Sequence, residues 1–256
     1  MVPVTSVALF ALGAIIASFV GVVVARYATG QSIVSGRSRC DACGAPLSGL
    51  ALVPILSYAF LRGRARCCGA RVSPFSTIAE ALLGTLYVLL YGVFGLTLTL
   101  LVFALAITAL LALVEYDLMH QIVPPPFLAV FMLFAALAGY LSVPTLAAFG
   151  LAALVALVMG VLFALLHFLS GGRLMGLSDA PVVFALALMT GPAAIPGFAF
   201  SFWIGAVIGI GILLARPAGS RMGIEVPLVP FLAAGFLLAF FTAWNPFSFV
   251  ALIPYA

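Results

Sequence analysis

The stretch Glu115-Tyr116-Asp117-Leu118-Met119-His120-Gln121-Ile122-Val123-Pro124 decides how this chain is read, because it places acidic residues where the apolar run 98–116 gives way to a polar loop. Asp179, in Gly176-Leu177-Ser178-Asp179-Ala180-Pro181, has the mirror-image setting, at the point where a loop enters an apolar run. The whole sequence of 256 residues contains only six acidic residues. An ionisable group at the edge of a membrane segment is costly unless it pairs, reaches the interface or works. Two in matched positions point to a functional pair.

Working outward, 66% of residues are hydrophobic and 6% charged, and the mean hydropathy is +1.38. Soluble domains carry roughly a quarter charged residues, so this composition belongs to a polytopic membrane protein of the all-α class. Apolar runs at 5–25, 76–95, 98–116, 125–142, 146–169, 180–196, 198–215 and 228–246 give about eight transmembrane helices. The pair 180–215 is interrupted by Gly191-Pro192 and Gly197. The first run lacks the basic start and short apolar core of a signal peptide, so it reads as an uncleaved helix. Gly13 and Ser18 within it either permit close helix packing or are simply small. The expected division is a first helix (1–25), a cytoplasmic Arg- and Cys-rich domain (26–75) and a membrane-embedded domain (76–256).

All ten basic residues are arginine, and seven of them (Arg26, Arg37, Arg39, Arg62, Arg64, Arg66 and Arg71) lie between the first two runs. The net charge of +4 therefore reads as topology and not as nucleic-acid binding. With that loop inside, Arg173, Arg216 and Arg221 fall on the same face, and Asp117 and Asp179 sit at the cytoplasmic boundary. The same loop holds all four cysteines: Cys40 and Cys43 in Cys-Asp-Ala-Cys, then adjacent Cys67 and Cys68. A reducing cytosol disfavours disulfides, and two pairs about 25 residues apart suggest a tetrahedral zinc stapling a loop too small for its own core, with free thiols as the alternative. Cys67 and Cys68 lack the usual two-residue spacer.

Two carboxylates held close cannot both ionise cheaply, so one proton is shared and the pair supplies one acid and one base for hydrolysis. From spacing alone, two interfacial carboxylates or an ion relay in a transporter remain open. Glu115 lies two residues from Asp117 and so points to nearly the opposite helix face, as a packing or interfacial partner. His120 either tunes Asp117, contacts substrate or is solvated; His167 reads as interfacial. Glu80 reads as a carboxylate reaching out to pair with a loop arginine.

These residues resemble the type IV prepilin peptidases, bacterial intramembrane aspartic proteases. Asp117 followed by Ile122-Val123-Pro124 resembles the family's first catalytic aspartate, and Gly176-Leu177-Ser178-Asp179 its Gly-x-Gly-Asp motif. Ala17-Ser18-Phe19-Val20 resembles Gly-Ser-Phe-Leu. Ser38-Arg39-Cys40-Asp41-Ala42-Cys43 resembles the first zinc pair, and the segment from Gly63 through Cys68-Gly69-Ala70-Arg71-Val72-Ser73, with Glu80 seven residues on, resembles the second pair and the helix after it. Pro227-Leu228-Val229-Pro230-Phe231-Leu232 resembles a late Pro-Phe-Gly-Pro-Phe-Leu element. The chain departs from the pattern at four places. Ser178 replaces the second glycine, Pro181 replaces a lysine, Gly21 replaces an asparagine, and Ala65 stands where the third zinc cysteine belongs.

The resemblance implies catalytic Asp117 and Asp179, supported by Gly176, Ser178 and Pro124, and structural zinc on Cys40, Cys43, Cys67 and Cys68. It also implies prepilin or pseudopilin substrates cut at the cytoplasmic face of a bacterial inner membrane. Relatives with the cysteine loop also methylate the new amino terminus with S-adenosylmethionine, and Glu80 is a candidate for substrate contact or for that methylation. The alternatives are a relative that binds prepilins without turnover, and a proton-coupled transporter. The nearly charge-free span interiors argue against the transporter.

Overall fold

A chain this apolar must satisfy its backbone internally, and helices do so within one segment. The computed structural model describes residues 2–33, 38–40, 42–173, 175–215 and 226–247. Among them are α1 (Val2–Arg26), a short α2 (Leu56–Phe60), α3 (Phe75–Phe94), α4 (Leu98–His120), α5 (Pro125–Ser142), α6 (Leu146–Ser170), α7 (Asp179–Thr190), α8 (Ala194–Ala215) and α9 (Val229–Thr242). The described residues form no extended strand, only two isolated bridges in the cysteine loop. All eight apolar runs thus appear as helices in the expected order. Arg37, Asp41, Arg216 and Arg221 lie outside the described residues.

The spans differ in length from a uniform set of eight. Six helical segments are long and apolar enough to cross a membrane, when the 37 residues from Asp179 to Ala215 count as one. At 1.5 Å per residue that segment would be about 55 Å long, almost twice a bilayer core. It is broken at Gly191–Ala193, a single tight turn in which Gly191 adopts φ +53° and Pro192 follows. The α7 piece is 12 residues and α9 is 14, both shorter than the roughly 20 residues of a full crossing.

The chain divides into two compact units, residues 1–115 and 116–256, with the boundary inside α4. In the first unit α1 and α3 pack along their lengths. Gly13 makes this possible: a Cβ there would stand 2.8 Å from the Gly84 Cα. Of the two sequence readings of Gly13, close packing is the one realised. The Tyr87 and Thr108 hydroxyls, 2.7 Å apart, and the Phe94–Phe103 ring contact tie α3 to α4.

In the second unit α7 is the central helix, with α5, α6, α8 and α9 all packed on it. Val182, Val183, Ala185, Leu186, Ala187 and Met189 are accordingly buried. Small residues carry the contacts of α7 with α5 and α6, Gly139 lying against the Leu188 backbone and Gly160 against Phe184, and Gly235 of α9 lies against Ser201 of α8. The Ser201 hydroxyl donates to the Gly197 carbonyl at 2.8 Å and also reaches the Leu232 carbonyl at 3.3 Å.

Candidate active site

Asp117 closes the last turn of α4. The helix ends there because Gln121, at φ +56°, takes the left-handed conformation while its N–H still donates to the Asp117 carbonyl at 2.8 Å. Pro124 then serves as N-cap and Pro125 and Pro126 open α5, positions where a missing N–H costs nothing. The Asp117 side chain is turned inward and only 5% exposed. The Val229 N–H, in the first turn of α9, donates to its Oδ2 at 3.1 Å. A helix N-terminus suits a carboxylate, since its first N–H groups are unpaired and carry partial positive charge.

Asp179 is the first residue of α7 and 8% exposed. It is tied to Gly176 twice: the Gly176 N–H donates to its Oδ2 at 3.0 Å, and its own N–H donates to the Gly176 carbonyl at 3.2 Å. Asp179 lies within electrostatic reach of both Asp117 and His167. The two carboxylates, 62 positions apart by their numbers in the sequence, therefore share one region of the second unit.

The departures around Asp179 are accommodated locally. Ser178 has φ −66° and ψ −18°, a conformation open to any residue, so the backbone does not require glycine there. Pro181 is the third residue of α7, inside the first turn where its missing N–H breaks no helical bond.

His167 is the residue that sequence reasoning undervalued. Its Nδ1 lies 2.9 Å from the Met175 carbonyl, so it holds the loop leading to Gly176 and Asp179. The α6 helix ends at Gly171, φ +60°, and Gly172, φ +76°, lies against the imidazole, where a Cβ would come within 3.2 Å of Cε1. The Gly171-Gly172 pair, four residues after a histidine in the last turn of the helix, was the available signal. His120, by contrast, is exposed and packs against Tyr116 with ring centroids 4.4 Å apart and the rings tilted by 42°.

The four cysteine sulfurs all lie within 4.8 Å of one another. Two matching turns bring them there. In the first, the Cys40 N–H donates to the Ala45 carbonyl and the Gly44 N–H to the Cys40 carbonyl, at 2.9 and 2.8 Å. In the second, the Ala65 N–H donates to the Ala70 carbonyl and the Gly69 N–H to the Ala65 carbonyl, both at 2.8 Å. Ala65 thus occupies the place of Cys40, and Cys68 that of Cys43. Cys67, from the tip of the turn, supplies the fourth sulfur, so the missing spacer does not keep the set apart.

A tetrahedral zinc with bonds of about 2.3 Å has sulfur–sulfur edges of about 3.8 Å. The measured Cys40–Cys68, Cys43–Cys67 and Cys67–Cys68 separations are 3.8, 3.3 and 3.9 Å, so the donor set fits a zinc ion. The N–H groups of Cys43 and Ala42 lower the Cys40 thiol to about 7, and the sulfurs of Cys43 and Cys40 push the Cys67 thiol up to about 12. Sulfurs this crowded favour a cation among them.

Glu80 is not the interfacial partner of an arginine that its sequence position suggested. It is 6% exposed, and its Oε2 accepts the Ile55 N–H at 2.8 Å while its Oε1 accepts the Ser76 hydroxyl at 3.3 Å. It fixes Ile55 in a left-handed turn, φ +60°. Glu115, read from the sequence as a packing or interfacial partner, is buried at 2% exposure, as the packing reading expects.

Residues 11–94 match the bacterial peptidase A24 N-terminal domain. The prepilin leader peptidase/N-methyltransferase of Bacillus subtilis is 31% identical over 243 residues, covering 94% of this chain and 96% of that protein. The chain belongs to the prepilin leader peptidase/N-methyltransferase family. The relative of that name from Aeromonas salmonicida is 32% identical over 77% of this chain and 68% of its own length. The one from Myxococcus xanthus is 39% identical over 48% of this chain, which spans 36% of that longer protein. No solved structure matches the chain. In this chain Asp117 and Asp179 lie buried in one unit and the four-sulfur cluster lies in the other.

Proposed function

We propose that the chain is an aspartic endopeptidase of the bacterial inner membrane that removes the leader peptide of type IV prepilins or pseudopilins. The observation that carries the reading is the pair Asp117 and Asp179, both buried, each held by one backbone N–H and within electrostatic reach of each other. One carboxylate, ionised, takes a proton from water as the oxygen attacks the scissile carbonyl. The other, protonated, donates to the departing amine as the tetrahedral intermediate collapses. Val229 and Gly176 fix one oxygen of each carboxylate, leaving the other free for water and substrate. The arginine-rich loop favours the cytoplasm for residues 26–75 and, with it, for the cut.

A zinc ion on Cys40, Cys43, Cys67 and Cys68 would staple the loop and takes no part in hydrolysis. N-methylation rests on the relatives' name. Among the described residues no strand leads into a glycine-rich cofactor loop, and the cavity formed by Leu9, Leu12, Ile16, Tyr87, Leu100 and their neighbours is apolar. These residues do not make a fit for S-adenosylmethionine. The test is cleavage of a prepilin-like peptide by purified protein in lipid. Wild type is expected to cut, while Asp117→Asn and Asp179→Asn insert and fold but do not; a wild type that cuts no prepilin would overturn the reading.

A further inference from the structure

The loop between α1 and α3 carries an apolar face that the described residues leave uncovered. In α2, Leu56 and Phe60 lie four residues apart and so share one side of the helix. They are 53% and 82% exposed, and Leu52 and Val53 just before them are exposed as well. Neighbouring apolar side chains exposed together mark an interaction surface.

The level of α2 relative to the bilayer is fixed by one hydrogen bond. The Glu80 carboxylate accepts the Ile55 N–H at 2.8 Å, directly before α2 begins. Glu80 is five residues into α3, about 7.5 Å along its axis, and a helical side chain leans back toward the start of its helix. With 20 residues, α3 is about 30 Å long, the thickness of the hydrocarbon core. Its first turn therefore marks the edge of that core, and α2 starts at the level of the lipid headgroups.

The turn that closes α2 adds charge of one sign. Arg62 takes φ +50° and Gly63 φ +67°, and the Gly63 N–H donates to the Tyr58 carbonyl at 3.0 Å, so the chain folds back at once. Arg64 then faces Arg71 across an isolated antiparallel bridge. Like charges placed opposite each other are unfavourable without an anion to join them. Arg62, Arg64 and Arg71 are all exposed, and none has an acidic partner among the described residues, where the acids of this unit, Glu80 and Glu115, are buried. A second copy docked through the same face would set arginines against arginines, and a free anion would leave Phe60 in water. A bilayer containing anionic lipid answers both features. The acyl boundary takes the apolar side chains, and the lipid phosphates take the guanidinium forks.

We propose that α2 and the turn after it dock on the bilayer beside α3, with Leu56 and Phe60 below the headgroups and Arg62, Arg64 and Arg71 on the phosphates of anionic lipids. The docked face holds the cysteine loop in one pose against the membrane, whether or not the chain cuts prepilins.

The test uses the full chain, one copy per nanodisc, with Phe60→Trp as reporter and Trp203→Phe and Trp244→Phe removing the chain's own indoles. Lipids brominated high in the acyl chain are expected to quench the reporter. An equal mixture of phosphatidylglycerol and phosphatidylcholine should shield it from acrylamide about threefold better than phosphatidylcholine alone. Arg64→Gln combined with Arg71→Gln should remove that difference. Where the reporter variant does not fold, hydrogen exchange of the wild-type amides from 56 to 64 takes its place, and the mixture should slow it. Absence of bromolipid quenching, or equal shielding and exchange in the two lipids, would sink the proposal. Shielding that requires a prepilin-like peptide, or two copies in one disc, would assign the face to a protein partner and sink it too.

Discussion

His167 shows how a single side chain sets the geometry of a site from outside it. Its contact with the Met175 carbonyl anchors the loop that ends in Asp179. His167→Ala is expected to lower kcat about fivefold with little change in KM, the scale of one lost hydrogen bond of about 1 kcal/mol. His167→Asn, which keeps a donor near that position, should recover most of the rate. A fall in KM-dependent binding with unchanged kcat would contradict a positioning role. Ser178 makes the opposite prediction. Its φ of −66° needs no glycine, so Ser178→Gly should leave cleavage within about threefold of wild type and stability within about 0.5 kcal/mol. At this scale the two aspartates were legible in the sequence, because carboxylates in an apolar chain advertise themselves. The roles of His167 and Glu80 were not. Each depends on a backbone group brought from elsewhere, the Met175 carbonyl and the Ile55 N–H, and no side-chain pattern announces a backbone partner.

At the scale of elements, small residues decide which helices touch. The α1–α3 contact passes through Gly13 and Gly84 with no room for a Cβ. Gly13→Val is expected to destabilise the protein by about 1–3 kcal/mol through overpacking, read by unfolding in mixed micelles. Gly92, with open space around it, is the control, and Gly92→Ala should be neutral or slightly stabilising. Helix positions were readable from hydropathy because each run of about twenty apolar residues can satisfy its backbone only as a helix. The lengths of α7 and α9 were not readable. Hydropathy reports how apolar a segment is, while α7 is cut to 12 residues by the Gly191-Pro192 turn and is buried by protein on all sides.

Across the whole molecule, the four-cysteine cluster belongs to the amino-terminal unit and the aspartate pair to the other. The purified protein is expected to carry about one zinc per chain, lost in Cys40→Ser and Cys43→Ser and measured by elemental analysis. The matched turns predict further that Cys67→Ala combined with Ala65→Cys restores the metal that Cys67→Ala alone loses, since residue 65 holds the place of Cys40. Chelation should expose residues 27–73 to protease; an unchanged digestion pattern would contradict a structural metal. The sequence showed the four cysteines but not how adjacent Cys67 and Cys68 both reach one centre, which needs the turn at Gly69. Whether Asp117 and Asp179 act as one catalytic unit is read from single-turnover cleavage by Asp117→Asn, Asp179→Asn and the double variant. Groups that act together are non-additive, so each single change should lower the rate by about 10⁴-fold or more and the double variant should be no slower. Independent, multiplying losses, or near-wild-type cleavage by either single variant, would contradict it.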